Sequence, residues 1–143
     1  MAVFKYFQDF TEKIGKGEHQ LHAAGHEIKV YLSNEQPLVS DTLKSDIAEI
    51  SMTNETNHGA GGADIQNDYT ESGGTASFTG VDVTFLAGAG GVGPFQFAVM
   101  VNEDHGSDAL CGGWWEYDNP ITLLEGESFV VDFAASIFEL AIP

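Results

Sequence analysis

Residues 95–102, with the sequence FQFAVMVN, determine the fold class that we predict for this chain. Phe95, Phe97, Val99 and Val101 stand at every second position of the stretch. Successive side chains of a β-strand point to opposite faces of its sheet, so alternation of this kind is typical of a strand with one buried face. We predict such a strand here, with these four side chains on a single face.

The same alternation occurs on both sides of this stretch. It is found near both ends and in the middle of the chain, at Ile28, Val30, Leu32, Val81, Val83, Phe85, Phe129, Val131, Phe133, Phe138, Leu140 and Ile142. Segments rich in Gly, Asn, Asp and Pro separate these runs, as turns require. Several short strands at this spacing predict an all-β protein, either an antiparallel β-sandwich of the jelly-roll-like kind or a Greek-key barrel.

Length and continuity favour one domain. Residues 75–87, TASFTGVDVTFLA, are interpreted as one long strand with a bulge at Gly80. A chain of 143 residues fits a single domain, and the sequence contains neither an internal repeat nor a linker. We therefore predict one domain over residues 1–143.

Two segments depart from the alternation. Near the N-terminus apolar residues recur at steps of three and four, at Phe4, Phe7, Phe10 and Ile14. This spacing predicts a short amphipathic helix, and the alternative is an extended arm within residues 1–20 that lies on a partner. Residues 54–74 are rich in Asn, Gly, Thr, Asp and Glu and nearly lack large apolar residues, so we predict a long surface loop there.

The chain is strongly acidic, with a formal net charge of −17. Residues 1–44 hold six acidic residues and all five lysines, whereas residues 45–143 hold sixteen acidic residues and no basic one. Nucleic acids and anionic membranes should repel such a protein, because both are bound through Lys and Arg. Cationic protein surfaces and divalent cations remain as partner classes, although we give more weight to a simple role of the charge in solubility.

Two sequence features resemble chemical sites but lack the required setting. GAGGVG at residues 88–93 fits the glycine pattern of a dinucleotide site, yet Pro94 and a strand follow where a helix N-terminus is needed. We predict an inter-strand turn instead. His19, His22 and His26 lack the H-E-x-x-H pattern of a zinc site, so we predict surface or partly packed imidazoles.

The second half of the chain contains two further candidates. The turn at residues 103–108 combines acidic side chains with His105, which suits a general base or a calcium ion, but it lacks EF-hand spacing. Cys111 lies between apolar neighbours, so we predict a buried, inert thiol. The sequence contains no known catalytic motif, and we predict that the protein is not an enzyme and has no resident cofactor or metal.

Aromatic residues are concentrated at Trp114, Trp115 and Tyr117. Neighbouring residues of a strand point to opposite faces, so one Trp can lie in the core while the other faces outward. Exposed Trp and Tyr are favoured at protein interfaces and in sugar-binding platforms. Burial of both Trp side chains between sheets is equally compatible with the alternation.

Four segments together resemble one family of virion proteins. They are VTFLAGAGGVGPFQFAV at 83–99, GGWWEYDNPITL at 112–123, GESFVVDF at 126–133 and, more weakly, KVYLSN at 29–34. In this order they are similar to small head decoration (cement) proteins of tailed bacteriophages. The resembling segments span most of the second half of the chain, and their motifs are structural, not catalytic.

The resemblance implies a β-sandwich or jelly-roll subunit that forms a homotrimer on the outer surface of the capsid. It would be made in the bacterial host cytoplasm and would bridge neighbouring major capsid protein subunits, without binding nucleic acid or membrane. We expect Phe4, Phe7 and Phe10 to anchor the N-terminus and the Trp114, Trp115 and Tyr117 group to lie at a subunit contact. The alternative is a carbohydrate- or receptor-binding virion module, favoured by the same aromatic group and by the loop at 54–74.

Overall fold

The computed structural model describes residues 2–143. Along them the chain forms one short α-helix, α1 (Phe10–Gly15), a 3-10 turn at Lys44–Asp46, and the ten strands β1 (Val3–Tyr6), β2 (Ile28–Ser33), β3 (Ala63–Asp64), β4 (Asp68–Ser72), β5 (Thr75–Thr79), β6 (Val83–Leu86), β7 (Val92–Asn102), β8 (Ala109–Leu123), β9 (Ser128–Val131) and β10 (Phe138–Ala141). Strands therefore dominate the regular structure, as the alternation predicts.

The strands pair into three antiparallel sheets. The largest has the order β1-β8-β7-β2-β3, and the two smaller ones have the orders β10-β5-β4 and β6-β9. The large sheet packs against the two smaller sheets, so the predicted all-β sandwich with a short N-terminal helix is confirmed. Long central strands β7 and β8 form the middle of the large sheet, and β1 and β3 form its edges.

The main core lies between the large sheet and the smaller sheets. Buried residues from both sides meet there, including Val30, Leu32, Ala98, Met100 and Cys111 from the large sheet and Phe78, Phe85 and Val131 from the others. The predicted inward face of β2 is confirmed, because Ile28, Val30 and Leu32 are all fully buried. Burial of apolar area on this scale is the main favourable term in folding.

A second core covers the opposite face of the large sheet. It consists of Phe7, Tyr31, Ile47, Phe97, Val99, Val101, Leu110 and Trp114. Residues 34–50 fold over this face, and the Tyr31 hydroxyl donates a hydrogen bond to the Ile47 carbonyl at 2.9 Å. Both faces of β7 and β2 are therefore buried, which explains why their sequences are apolar at nearly every position.

The prediction of a single face for β7 was wrong at one residue. Phe97, Val99 and Val101 lie in the second core, whereas Phe95 lies in the main core on the other side of the sheet. The pairing of β7 with β8 shifts register between Phe95 and Phe97. Between these two pairs β8 takes five residue steps, from Glu116 to Ile121, against two in β7, so the ladder is interrupted and the alternation of β7 does not continue across the break.

Residues 75–87 also differ from the prediction. They form two strands, β5 and β6, that belong to different sheets, and Gly80 lies at the break and not at a bulge in one strand. A Cβ at Gly80 would lie 3.3 Å from side-chain atoms of Ile65 and Phe133. The glycine therefore lets the chain cross between sheets close to the core.

The N-terminal segment contains the predicted short helix, but its extended part lies on the chain's own sheet and not on a partner. Residues 3–6 form β1, and the helix begins only at Phe10, so the helical spacing extends too far toward the N-terminus. Phe10 is 3% exposed and faces the main core, as the amphipathic pattern predicts. The first part of the segment is a strand because it pairs with β8 of its own chain.

The prediction of a long loop over residues 54–74 was wrong in its second half. That half contains β3 and β4, and Ala63 and Ile65 are buried. The sequence pattern did not predict these strands, because β4 is largely exposed and has few apolar side chains that could alternate. Only the first half of the segment is irregular.

A buried carboxylate organises this irregular half. Glu55 is 6% exposed and accepts hydrogen bonds from four backbone N–H groups, those of Asn57, His58, Gly59 and Leu86. Burial by itself raises the pKa of Glu55, but the four N–H groups outweigh it and lower the pKa below its ordinary value. The carboxylate therefore fastens residues 55–59 to β6.

We predict that Glu55→Gln lowers the free energy of unfolding by about 2 kcal/mol, because the amide nitrogen of glutamine cannot accept a hydrogen bond from a backbone N–H. Urea denaturation at neutral pH measures the loss. Glu125→Gln, in an exposed turn, is the matched control and should change the stability little. Equal stability of the two variants would contradict the fastening role of Glu55.

The pH dependence of this contribution has a defined sign. The folded-state pKa of Glu55 lies below its ordinary value of 4.5, so its stabilising effect is complete above that pH and is lost as the pH falls further. The stability difference between the wild type and Glu55→Gln should therefore shrink on acidification below about pH 4.5. A constant difference across that range would contradict a charged Glu55 in the native state.

Candidate interaction surface

The pairing of β1 with β8 brings the aromatic residues predicted for an interface into contact with one another. Phe4 lies opposite Trp115 in the ladder, with their ring centres 4.6 Å apart. Phe7 contacts Trp114 on the other face of the sheet, with ring centres 4.9 Å apart. Both Trp side chains thus help to hold the N-terminal segment against the chain's own large sheet.

These aromatic residues differ in how much surface they offer. Phe7, Phe10 and Trp114 are buried, at 1%, 3% and 2% exposure. They are parts of the cores and have almost no surface to present to a partner. The remaining three, Phe4, Trp115 and Tyr117, are half-buried.

Trp115 and Tyr117 also use their rings within the fold. The Trp115 ring contacts Phe133 at 5.3 Å between centres, and the Tyr117 ring contacts Phe129 at 5.0 Å. Burial raises the pKa of Tyr117 to about 12, so its hydroxyl stays protonated at neutral pH. The interface role of this group remains a prediction, and in this fold Phe4, Trp115 and Tyr117 are the members with surface to fulfil it.

A mostly apolar groove lies beside this aromatic group, between β1, α1 and β10. It has a volume of about 440 Å³ and is lined mainly by Tyr6, Phe10, Ile14, Tyr69, Phe138 and Leu140. We call it the seam groove, because β1 is an edge of the large sheet and β10 is an edge of a smaller one. The sandwich is open along this side.

Large apolar side chains are exposed around the seam groove. Tyr6 and Leu140 line it and are 48% and 60% exposed, and Ile142, two residues beyond Leu140, is 76% exposed. The alternation correctly marks the last strand but misplaces Leu140 and Ile142 in a core.

The backbone at the seam groove is also open to a partner. The Phe7 N–H donates to the Gly112 carbonyl, so the backbone groups of Phe7 point toward β8. Along a strand, residues whose backbone groups point toward the paired neighbour alternate with residues whose groups point away from it. The backbone groups of Phe4 and Tyr6 therefore point away from β8. Among residues 2–143 no other strand pairs with this side of β1 or with the outer side of β10. Exposed edges of this kind are ready to accept another polypeptide.

The charge near the seam groove contrasts with the rest of the molecule. Residues 1–16 hold three of the five lysines and two acidic residues, whereas residues 17–143 hold two lysines and twenty acidic residues. The three lysines form ion pairs across the surface, Lys5 with Glu116 at 3.2 Å, Lys13 with Asp9 at 2.9 Å and Lys16 with Glu12 at 2.8 Å. The wall of the groove that β1 and α1 form is thus nearly neutral, whereas the wall that β10 forms carries the acidic Glu139.

The other candidate sites of the sequence have structural roles. Residues 88–93 form a turn and the start of β7, without the helix that a dinucleotide site needs. Cys111 is fully buried, and burial raises the pKa of its thiol, so the prediction of an inert cysteine is confirmed. Within residues 2–143 no three His, Cys, Asp or Glu side chains lie close enough together to hold a metal ion.

Two of the three neighbouring histidines are packed and not simply exposed. His19 is 5% exposed, and His19 and His26 both contact the Asn102 side chain, at 3.0 and 2.9 Å. His105 of the acidic turn contacts Glu18 at 3.1 Å. Their partners lie more than 70 positions away in the chain, so no local sequence pattern indicates these contacts.

No helix within residues 2–143 is long and apolar enough to cross a membrane. Comparison of the chain with protein-family models, with curated protein sequences and with solved structures finds no match in any of the three.

We predict that Gly113→Ala detaches β1 from the large sheet. A Cβ at this position would collide with the backbone carbonyl of Lys5, which cannot move aside without breaking the β1–β8 ladder. Hydrogen exchange should become fast at the amides of residues 3–7 that face β8, those of Lys5 and Phe7, while β7 stays protected. Gly106→Ala is the control, since a Cβ there meets open space. Unchanged protection of residues 3–7 in Gly113→Ala would refute the dependence of β1 on this glycine.

Proposed function

We propose that this protein is a structural virion protein that binds the outer surface of a phage capsid and bridges major capsid protein subunits. The observation that supports a docking function is the seam groove, where exposed apolar side chains and two open strand edges occur together. The similarity of four sequence segments to phage decoration proteins supports the choice of the capsid as the partner. The all-β sandwich is compatible with that family.

An uncovered seam groove leaves apolar side chains and unpaired strand edges in water, which is unfavourable in free energy. Apolar side chains such as Leu140 and Ile142 gain about 25 cal/mol for each Å² that a partner removes from water. An open strand edge beside them invites non-specific pairing unless a specific partner covers it. A protein surface satisfies both requirements, because it supplies apolar side chains and backbone hydrogen bonds together.

Stabilisation of a capsid by such a protein follows from mass action. A ligand that binds only the assembled shell shifts the equilibrium toward that shell, by an amount that grows with its concentration relative to its dissociation constant. A homotrimer, as the resemblance implies, presents three copies of the binding surface. The second and third contacts are then intramolecular and much more favourable than three separate ones.

The charge distribution suits the outside of a shell. Residues 45–143 carry sixteen acidic residues and no basic one, which disfavours contact with packaged nucleic acid. The acidic surface also keeps free copies apart and soluble before they dock. The β1 and α1 wall of the seam groove comes from the part of the chain whose charges nearly balance, so repulsion opposes the approach of another protein less there.

We predict that Leu140→Asp weakens capsid binding about tenfold or more, because it places a charge in the apolar seam groove. The measurement is co-sedimentation of the purified protein with empty shells of the major capsid protein encoded with it, at several protein concentrations. The exposed fraction of Leu140 is 60%, so the substitution should leave the fold intact.

Leu124→Asp is the matched control, since Leu124 is 67% exposed but lies in the turn after β8, away from the seam groove. It should bind shells as the wild type does. Equal binding by both variants would exclude the seam groove as the docking surface. Failure of the wild type to sediment with shells would overturn the proposed function itself.

A further inference from the structure

Residues 17–27 form a strap that crosses the end of the large sheet without regular secondary structure. We call it the histidine strap, because it carries His19, His22 and His26. Its apolar anchor is Leu21, which is 5% exposed and belongs to the main core. The remaining attachment is polar and centres on two buried side chains, Asn67 and Asn102.

Asn102 holds the strap through an amide whose orientation is fixed. Its Oδ1 accepts hydrogen bonds from the backbone N–H groups of Asp104 and His105, at 3.1 and 3.2 Å. Its Nδ2 therefore points to the strap, where it lies 3.0 Å from His19 Nδ1 and 2.9 Å from His26 Nδ1. One amide group thus contacts two imidazoles at once.

The chemistry of these contacts sets the protonation state of both rings. An amide nitrogen only donates hydrogen bonds, so each Nδ1 must accept one. Both imidazoles must then be neutral, with the proton on Nε2. His26 Nδ1 faces a second donor, the backbone N–H of Gln20 at 3.3 Å. A proton on either Nδ1 would place donor against donor.

We propose that the histidine strap is an acid-released latch: protonation of His19 breaks its hydrogen bond to Asn102 and frees residues 17–27 from the end of β7. This property concerns the subunit alone and does not depend on what the seam groove binds.

The surroundings of His19 favour its neutral form. Burial is the main cause that lowers the pKa of His19 to about 4, and the positive charge of Lys13 and the neighbouring His105 lower it further. Asp9 and Glu18 act in the opposite direction but do not compensate. The folded-state pKa is therefore below the ordinary value of 6.5, so the strap loses stability as the pH falls between these two values.

Carboxylates surround His26 instead. Glu27, Asp64, Asp68 and Asp104 line a polar cleft of about 610 Å³ together with this imidazole. Two of them fasten the strap directly, because Asp68 accepts from the Ala23 N–H at 3.1 Å and Asp104 accepts from the Glu27 N–H. These carboxylates attract a protonated His26 but leave no acceptor at its Nδ1, where the Asn102 amide lies.

Other attachments limit the release to the strap. Asn67 Nδ2 donates to the carbonyl groups of Leu21 and His26, at 2.8 and 3.0 Å, and does not titrate. His105 faces Glu18 at 3.1 Å, a contact that protonation of His105 strengthens. We therefore expect local opening of residues 17–27 in mild acid while the two cores remain folded.

The size of the effect follows from His19. Opening the strap restores the ordinary pKa of this ring, which makes opening roughly 30-fold more favourable at about pH 5 than at about pH 7.5. Amide hydrogen exchange of Ala23, Gly25 and His26, corrected for its intrinsic pH dependence, should accelerate by that factor. The amides of β7 should not change. Strap protection that is the same at both pH values would overturn the latch.

The decisive variant is Asn102→Asp, because it should reverse the pH response of the strap. Asn102→Asp replaces the Nδ2 donor by an acceptor while Oδ1 keeps its two backbone partners, so a protonated Nδ1 becomes the favoured partner. The strap should then be better protected at about pH 5 than at about pH 7.5. A response in the same direction as the wild type would refute the role of Asn102. His22→Gln, on the exposed part of the strap, is the control and should respond as the wild type does.

A measurement on the wild type covers the case in which Asn102→Asp does not fold. Nitrogen-15 chemical shifts of the imidazoles at about pH 7.5 report which ring nitrogen carries the proton. His19 and His26 should both carry it on Nε2. A proton on Nδ1 of either ring would overturn the proposal.

Discussion

The structure depends on one constraint, the need to bury both faces of the large sheet. Its inner strands β7 and β2 are apolar on both sides, so neither face can be left in water. The smaller sheets cover one face and residues 34–50 cover the other. The latter cover is irregular chain, and it brings many backbone N–H groups with no place in a sheet ladder. These N–H groups therefore need hydrogen-bond acceptors from outside the sheet ladders.

Acidic side chains supply many of these hydrogen-bond acceptors. Backbone N–H groups in loops and at strand ends donate to the carboxylates of Glu35, Asp41, Asp46, Glu49, Glu55, Asp68, Asp82, Asp104 and Glu127. Hydrogen bonds to an ionised acceptor are stronger than neutral ones. The sequence-based interpretation gave the charge mainly a role in solubility. The structure adds a specific role, in which a large share of the negative charge fastens irregular chain onto the sandwich.

Local pattern predicted the fold class because alternation depends only on neighbouring residues. It failed where a distant partner decides the outcome. The interrupted pairing with β8 separates Phe95 from Phe97 onto opposite faces, and β1 is a strand in a helix-like sequence because it pairs with β8. The seam groove combines residues from both ends of the chain, and the contacts of His19 and His26 with Asn102 span most of its length. Contacts of this kind leave no periodic signal in a single sequence.

The pairing of the first strand with β8 also constrains the order in which the molecule can be built. Lys5 and Glu116, which form an ion pair across that ladder, are 111 positions apart in the chain. Closing so long a segment is slow compared with forming hairpins such as β4–β5 or β7–β8. On the ribosome, the N-terminal segment has to wait unpaired until most of the polypeptide has emerged, and β10 is synthesised later still. The seam groove is therefore completed last, so a nascent chain lacks a finished groove until its own folding is done.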